Sequence, residues 1–190
     1  MRNDLTEIVM VIDCSGSMSR IKDDAEDGIN SFIEEHRKDG DVVLTLCEFN
    51  SRGTYHFVYD AVPIKEVGHY IMRTGGLTAL LDALGNSIDK TGTRLAAMSE
   101  EDRPGLVIFV VVTDGYENDS EEYTDSGQIK EKIDHQANVY KWQFVYLGAN
   151  QDAIAVAKSL GAQSAGNFSM KRTADTYDAT ARSTKRMKLA

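Results

Sequence analysis

Three short segments of the chain place oxygen-bearing side chains where a cation could be held. Asp13-Cys14-Ser15-Gly16-Ser17 follows the apolar run Ile8–Ile12, Gly75-Gly76-Leu77-Thr78 precedes a helical stretch, and Thr113-Asp114-Gly115 ends the run Leu106–Val112. Gly16 lets its loop turn sharply, so that Ser15 and Ser17 can face one point. Asp13, Ser15, Ser17, Thr78 and Asp114 together offer two carboxylates and three hydroxyls, and no nitrogen or sulfur ligand pattern accompanies them. Hard oxygen donors suit magnesium, manganese or calcium rather than zinc. Two carboxylates only neutralise a divalent ion, and hydroxyls add no charge. Such an ion retains affinity for a further anion, and magnesium commonly keeps exchangeable water. An Asp or Glu from another protein can take that water's place. The ligand set therefore describes a docking post for a partner's carboxylate, where four carboxylates would have saturated the ion.

These loops need elements to hold them, and two kinds of segment alternate along the chain. Glu7–Asp13 reads as a buried strand with acids only at its ends. Ser19–Lys38 has helical spacing, with Ile21, Ala25, Ile29, Phe32, Ile33 and His36 on one face. Val42–Phe49 and Tyr55–Val62 are strands joined by a short turn at Ser51-Arg52-Gly53, which predicts an antiparallel hairpin. Ala79 to about Met98 is a helix with Leu80, Leu81, Leu84, Ile88 and Leu95 as its stripe. Leu106–Val112 is the most hydrophobic strand and is expected at the centre of the sheet. Glu117–Gly127 reads as an exposed acidic loop. Ile129 to about Ala137 reads as a helix, Trp142–Leu147 as a strand, Gln151–Leu160 as a helix ending at Gly161, and Phe168 as part of a last short strand. The pattern predicts a three-layer, Rossmann-like, doubly wound α/β fold, mostly parallel, with Tyr55–Val62 antiparallel at one edge. Ligands of such open sheets sit at the carboxyl ends of the strands, where the three oxygen-bearing loops fall.

Asp-x-Ser-x-Ser after the first strand, Thr in a Gly-Gly-x-Thr turn and Asp in Thr-Asp-Gly after the central strand resemble the metal-ion-dependent adhesion site of von Willebrand factor A domains. The matches come in the family's order, and the apolar patterning is compatible with that fold from about Glu7 to Phe168. The resemblance implies that Ser15, Ser17 and Thr78 contact a divalent metal directly or through water. It implies that Asp13 and Asp114 hold the ion directly or through bound water, and that a protein partner's Asp or Glu completes the site.

Blander roles compete for the same residues. An Asp at a strand's carboxyl end often caps the next helix, and Ser17 and Thr78 are good caps. Asp82 is expected in contacts around the metal loop or the helix start. Cys14 reads as a small loop filler, since no motif places a His to activate it. His36, His56, His69 and His135 read as surface or partly packed. The acids Glu117, Asp119, Glu121, Glu122 and Asp125 lack the spacing of a calcium loop and read as a solvated segment. The rival from another class is a magnesium-dependent phosphatase of the haloacid dehalogenase type, with Asp13 as nucleophile. That pattern wants a second Asp two residues on, where Ser15 stands, and a Lys motif that is missing. A scaffold in which the metal only stabilises the fold is a third reading. Dinucleotide and P-loop glycine motifs are absent. The expectation is a binding module, not an enzyme.

The chain's 190 residues suit one domain: residues 1–170 as the α/β domain and 171–190 as a basic tail or terminal helix. That tail sets Lys171, Arg172, Arg182, Lys185, Arg186 and Lys188 against Asp175 and Asp178, while the whole chain carries a net charge of −9. An acidic body repels phosphate, so direct nucleic-acid binding is not expected. Leu106–Val112 is far short of the ~20 residues a membrane helix needs. The first residues show no apolar signal segment, and Cys14 and Cys47 are too few for a disulfide framework. A reduced, cytoplasmic protein is expected. The sequence leaves its oligomeric state open.

Overall fold

The computed structural model describes residues 1–38, 41–114, 117–148, 155–156, 159–161 and 164–167. Six strands form one sheet: β1 (Arg2–Asp13), β2 (Asp41–Phe49), β3 (Tyr55–Pro63), β4 (Pro104–Thr113), β5 (Gln143–Gly148) and β6 (Ser164–Asn167). Their order is β3-β2-β1-β4-β5-β6, with β3 antiparallel at the edge and every other pairing parallel. The helices are α1 (Lys22–Arg37), α2 (Leu80–Ala97) and α3 (Ser126–Tyr140). The expected three-layer α/β architecture is the one observed, and Leu106–Val112 lies within one of the two middle strands.

A parallel sheet covered on both faces needs strands that are apolar on both sides. In β1, Ile8, Met10 and Ile12 face the α1 layer, while Val9 and Val11 face α2 and α3. β4 repeats this, with Ile108, Val110 and Val112 on one side and Val107, Phe109 and Val111 on the other. On the second face Phe109 stacks between Trp142 and Phe144, with centroids 5.4 and 5.0 Å away. β1 starts at Arg2, earlier than the apolar pattern shows, because Thr6 and Glu7 are buried within it. Glu7 is thus no strand end. It is fully buried, accepts from Thr45 Oγ1 at 3.1 Å, and forms an ion pair with Arg94 of α2.

β3 is not uniform. Between the pairs Leu44↔Val62 and Leu46↔Tyr59, the residues Asp60 and Ala61 stand opposite Thr45 alone. Ala61 adopts φ 52°, a left-handed conformation uncommon for a residue with a Cβ, and its N–H donates to Thr45 Oγ1 at 3.0 Å.

His36 also departs from expectation. It is fully buried on the apolar stripe of α1, with its ring 4.4 Å from that of Phe32, whereas His56, His69 and His135 are exposed. The segment Glu117–Asp125 is structured against α2 rather than simply solvated, as described below. The helix expected over Gln151–Leu160 falls mostly outside the described residues, although Leu160 is buried in the core. Phe168 and the basic tail 171–190 lie outside them entirely. Among the described residues no helix is long and apolar enough to cross a membrane.

Candidate metal centre

The carboxyl ends of β1 and β4 bring Asp13 and Asp114 to one edge of the sheet, because these strands are neighbours in register through Ile12↔Val112. After β1 the chain bends through Ser15 into a 3-10 turn, Gly16–Arg20. That turn folds the serines back toward β4. Ser15 Oγ lies 3.0 Å from Ser17 Oγ, and Ser17 Oγ donates to Asp114 Oδ1 at 2.6 Å. Asp13 is fully buried and both of its oxygens are held: the Ser15 N–H donates to Oδ1 at 2.8 Å and Thr113 Oγ1 donates to Oδ2 at 2.7 Å. Burial pushes the Asp13 carboxyl above its usual range, the hydrogen bonds from Thr113 and Ser15 pull against that, and the nearby charge of Asp114 adds to the rise. Asp13, Ser15, Ser17 and Asp114 are therefore one connected group.

Thr78 comes from the loop before α2. Main-chain bonds tie this loop to the first: Gly75 N–H donates to Cys14 O at 2.8 Å, and Gly16 N–H to Gly76 O at 3.1 Å. Gly76 has φ 78°, and a Cβ there would lie 2.5 Å from Ser51 Oγ, so both conformation and space require glycine. Thr78 itself is buried, its N–H donating to Asn118 Oδ1 at 2.9 Å while its carbonyl accepts from Asn118 N–H at 3.0 Å. The capping roles do not materialise. Ile21 is the N-cap of α1 and Ala79 that of α2, and neither cap carries a side-chain hydrogen bond. Ser17 turns to Ser15 and Asp114 instead.

Among the described residues, no group of three or more His, Cys, Asp or Glu side chains comes together as a ligand set. A cation at this edge would rest on two carboxylates and on hydroxyls. The donor chemistry fits a hard divalent ion: one carboxylate is held in place under burial, and a file of hydroxyls leads to the second. Cys14 sits between two of these residues, yet its side chain points into the core. Its Sγ is 3.7 Å from Tyr70 OH, which donates to Glu48 Oε1 at 2.7 Å, and burial pushes the thiol up to about 12. Cys14 and Cys47 are free thiols.

Residues outside the five candidate ligands do much of the positioning, among them Asp82, expected in contacts at the helix start. Thr113 orients Asp13. Glu117 lies over the start of α2, where helix N–H groups lack partners: its Oε2 accepts from Leu81 N–H at 2.8 Å, and its Oε1 from Asp119 and Ser120 N–H at 2.8 and 2.7 Å. Asp82 answers in the other direction, accepting from the N–H groups of Glu121, Glu122 and Tyr123 at 2.9, 3.0 and 2.8 Å. The acidic segment is thus a clasp across the α2 start, with Asn118 holding Thr78. The acidic run itself was the only signal: it stands directly before α3 in sequence but covers the N-terminus of α2, which only the tertiary contact reveals.

No protein-family model matches the sequence, and no curated protein matches it. Solved structures do match the fold. A von Willebrand factor type A protein from Catenulispora acidiphila superposes with TM-score 0.65 at 14% identity, over 93% of this chain and 42% of that one. The pilus adhesin SpaC from Lactobacillus rhamnosus GG gives TM-score 0.65 at 15% identity, over 96% and 30%. The vWF domain of the type V pili tip protein Mfa5 from Porphyromonas gingivalis gives 0.60 at 11%, over 95% of both chains. The chain spans less than half the length of the first two. Identities this low speak to architecture, and on architecture they agree: this chain has the fold of a von Willebrand factor A domain.

Proposed function

We propose that the chain is a protein-interaction module whose strand edge holds a divalent cation, magnesium or manganese foremost and calcium as an alternative, and captures a partner's carboxylate there. The observation that carries this reading is the connected group Asp13, Ser15, Ser17 and Asp114 at the carboxyl ends of β1 and β4, with the Thr78 loop tied to it. When bound, the cation supplies a positive centre for an incoming oxyanion. The chain's residues do the rest. Thr113 and the Ser15 N–H fix Asp13, Ser17 and Asp114 orient one another, and Asn118 holds Thr78 in place. Structural similarity to domains of pilus proteins supports the choice of a protein partner. Two free buried thiols are in keeping with a reduced, cytoplasmic setting.

Manganese binding followed by water-proton relaxation tests this directly. Wild-type protein is expected to bind the ion saturably with exchangeable water in its shell, acetate is expected to displace part of that water, and Asp114→Ala to abolish the signal. Absence of saturable binding in the wild type would refute the reading. For an identified partner, Thr78→Ala and chelation should each weaken affinity by about thirty-fold or more, since loss of a desolvated charge-assisted contact costs on the order of 2–5 kcal/mol. Equal affinity in all three samples would make the metal purely structural.

The same reading makes the chain non-catalytic. Ser15 occupies the place where a haloacid-dehalogenase-type phosphatase needs its acid, so purified protein should not turn over p-nitrophenyl phosphate. Magnesium-dependent turnover lost in Asp13→Asn would reverse this.

A further inference from the structure

At the opposite edge of the sheet, by the amino ends of β4 and β5, a cavity of about 350 Å³ opens between the last turns of α2 and α3. Its size falls within the ~300–1,000 Å³ typical of small-molecule sites. Leu95, Val107 and Trp142 line it and are themselves buried, giving an apolar floor. Arg103, His135 and Lys141 also line it, and among the described lining residues none is a carboxylate, in a chain of net charge −9. Arg103 is pinned over the end of α2, where its guanidinium donates to the carbonyls of Met98 and Ala96 at 3.0 and 3.2 Å. Lys141 Nζ donates to Asn138 O at 2.8 Å. Carbonyl partners position these groups without neutralising them, so their positive charge remains available.

Gly92 is a second, independent observation. It lies inside α2, where only proline is a poorer helix former. Neither conformation nor space demands glycine there. Its φ is not positive, and the nearest atoms a Cβ would meet are Gln136 Nε2 at 3.9 Å and Trp142 Cη2 at 4.0 Å, ordinary contact distances. What the missing side chain does is leave the cavity wall open beside the Trp142 ring.

We infer that this cavity binds a small amphipathic organic anion, its apolar body against Trp142, Leu95 and Val107 and its carboxylate toward Arg103 and Lys141. Apolar burial favours the body, and the half-buried Arg103 and exposed Lys141 at the cavity select the sign of the head group.

Trp142 is the only tryptophan in the chain, so its fluorescence reports on this cavity alone. Decanoate, kept below its micelle concentration, is expected to change Trp142 emission saturably. Decylamine, of equal length and opposite charge, should bind at least about tenfold more weakly. Lys141→Gln should weaken decanoate several-fold while leaving decanol unchanged. Gly92→Leu fills the cavity from a helix position that tolerates a side chain, so its melting temperature should not fall below wild type while the decanoate response disappears. An absent decanoate response, equal responses to decanoate and decylamine, or full decanoate binding by Gly92→Leu would each overturn the assignment.

Discussion

Asp13 has its two oxygens fixed by different neighbours, one on its own loop and one on β4. The β4 contact makes Thr113 a sensitive position. Thr113→Val keeps the shape and removes the donor, leaving a buried carboxylate short of a hydrogen bond. A loss of roughly 1.5–3 kcal/mol in stability is expected, from the usual worth of bonds to charged groups, together with a roughly 10–100-fold loss of manganese affinity, as for other groups that orient a ligand. Urea unfolding and metal titration measure the two; an unchanged titration would mean that Asp13 needs no help in facing the ion. At this scale the sequence was informative about side chains that carry charge or lone pairs in a recurrent order: Asp13, Ser15, Ser17, Thr78 and Asp114 stand on two loops and a strand end that the structure ties together. It marked Thr113 only as the neighbour of Asp114 and was silent about Asn118; the importance of both comes from what lies across from them.

Between elements, the interactions that matter most join residues far apart in sequence. Glu7 on β1 meets Arg94 on α2 and Thr45 on β2, inside the layer. Removing Arg94 leaves the charge of fully buried Glu7 uncompensated, whereas replacing Glu7 leaves Arg94, which is partly exposed and also pairs with Asp60. Arg94→Ala should therefore cost about 3–5 kcal/mol, while Glu7→Gln should stay within about 1.5 kcal/mol of wild type. The pH dependence has a definite sign. Burial raises the Glu7 carboxyl above its ordinary value despite the opposing charge of Arg94, so the folded state holds this proton more tightly than the unfolded chain. Its contribution is fully present below the ordinary carboxylate pKa of ~4.3 and is lost as pH rises through the raised folded value. Relative to Glu7→Gln, the wild type should gain stability as pH is lowered from neutrality into the carboxylate range. Denaturant midpoints of both proteins across that range check it, and a difference that is constant or moves the other way refutes it. The acidic clasp yields a companion test: Asp82→Ala frees three main-chain N–H groups and should speed hydrogen exchange at Glu121, Glu122 and Tyr123 while the core strands stay protected. Periodicity exposed the helices and two-sided strands well. It failed at Glu7, Glu117 and His36 for one reason, namely that a polar residue reads as solvent-facing until the partner that buries it is known. His36 lies on the apolar stripe of its helix, so that signal was present and was outweighed by residue type.

For the molecule as a whole, a ligand that binds only the folded chain must stabilise it. Magnesium at about 100 times its dissociation constant adds ~2.7 kcal/mol. In a chain of this size that corresponds to a rise of roughly 5–10 °C in melting temperature. Asp114→Ala should lose most of the rise, and scanning calorimetry with and without the ion decides it; a wild type indifferent to the ion would count against the metal centre. Among the described residues β3 is one margin of the sheet, a row of main-chain groups that in a flat strand would recruit a neighbouring molecule. The extra residue at Ala61 interrupts that row and increases the local twist. A left-handed residue at such a bulge is expected to hinder edge-to-edge pairing between copies of the chain. Deleting Ala61 removes one of the two register shifts between β2 and β3, the other lying between Leu46↔Tyr59 and Cys47↔Phe57, and sedimentation should then show stronger concentration-dependent association than in the wild type.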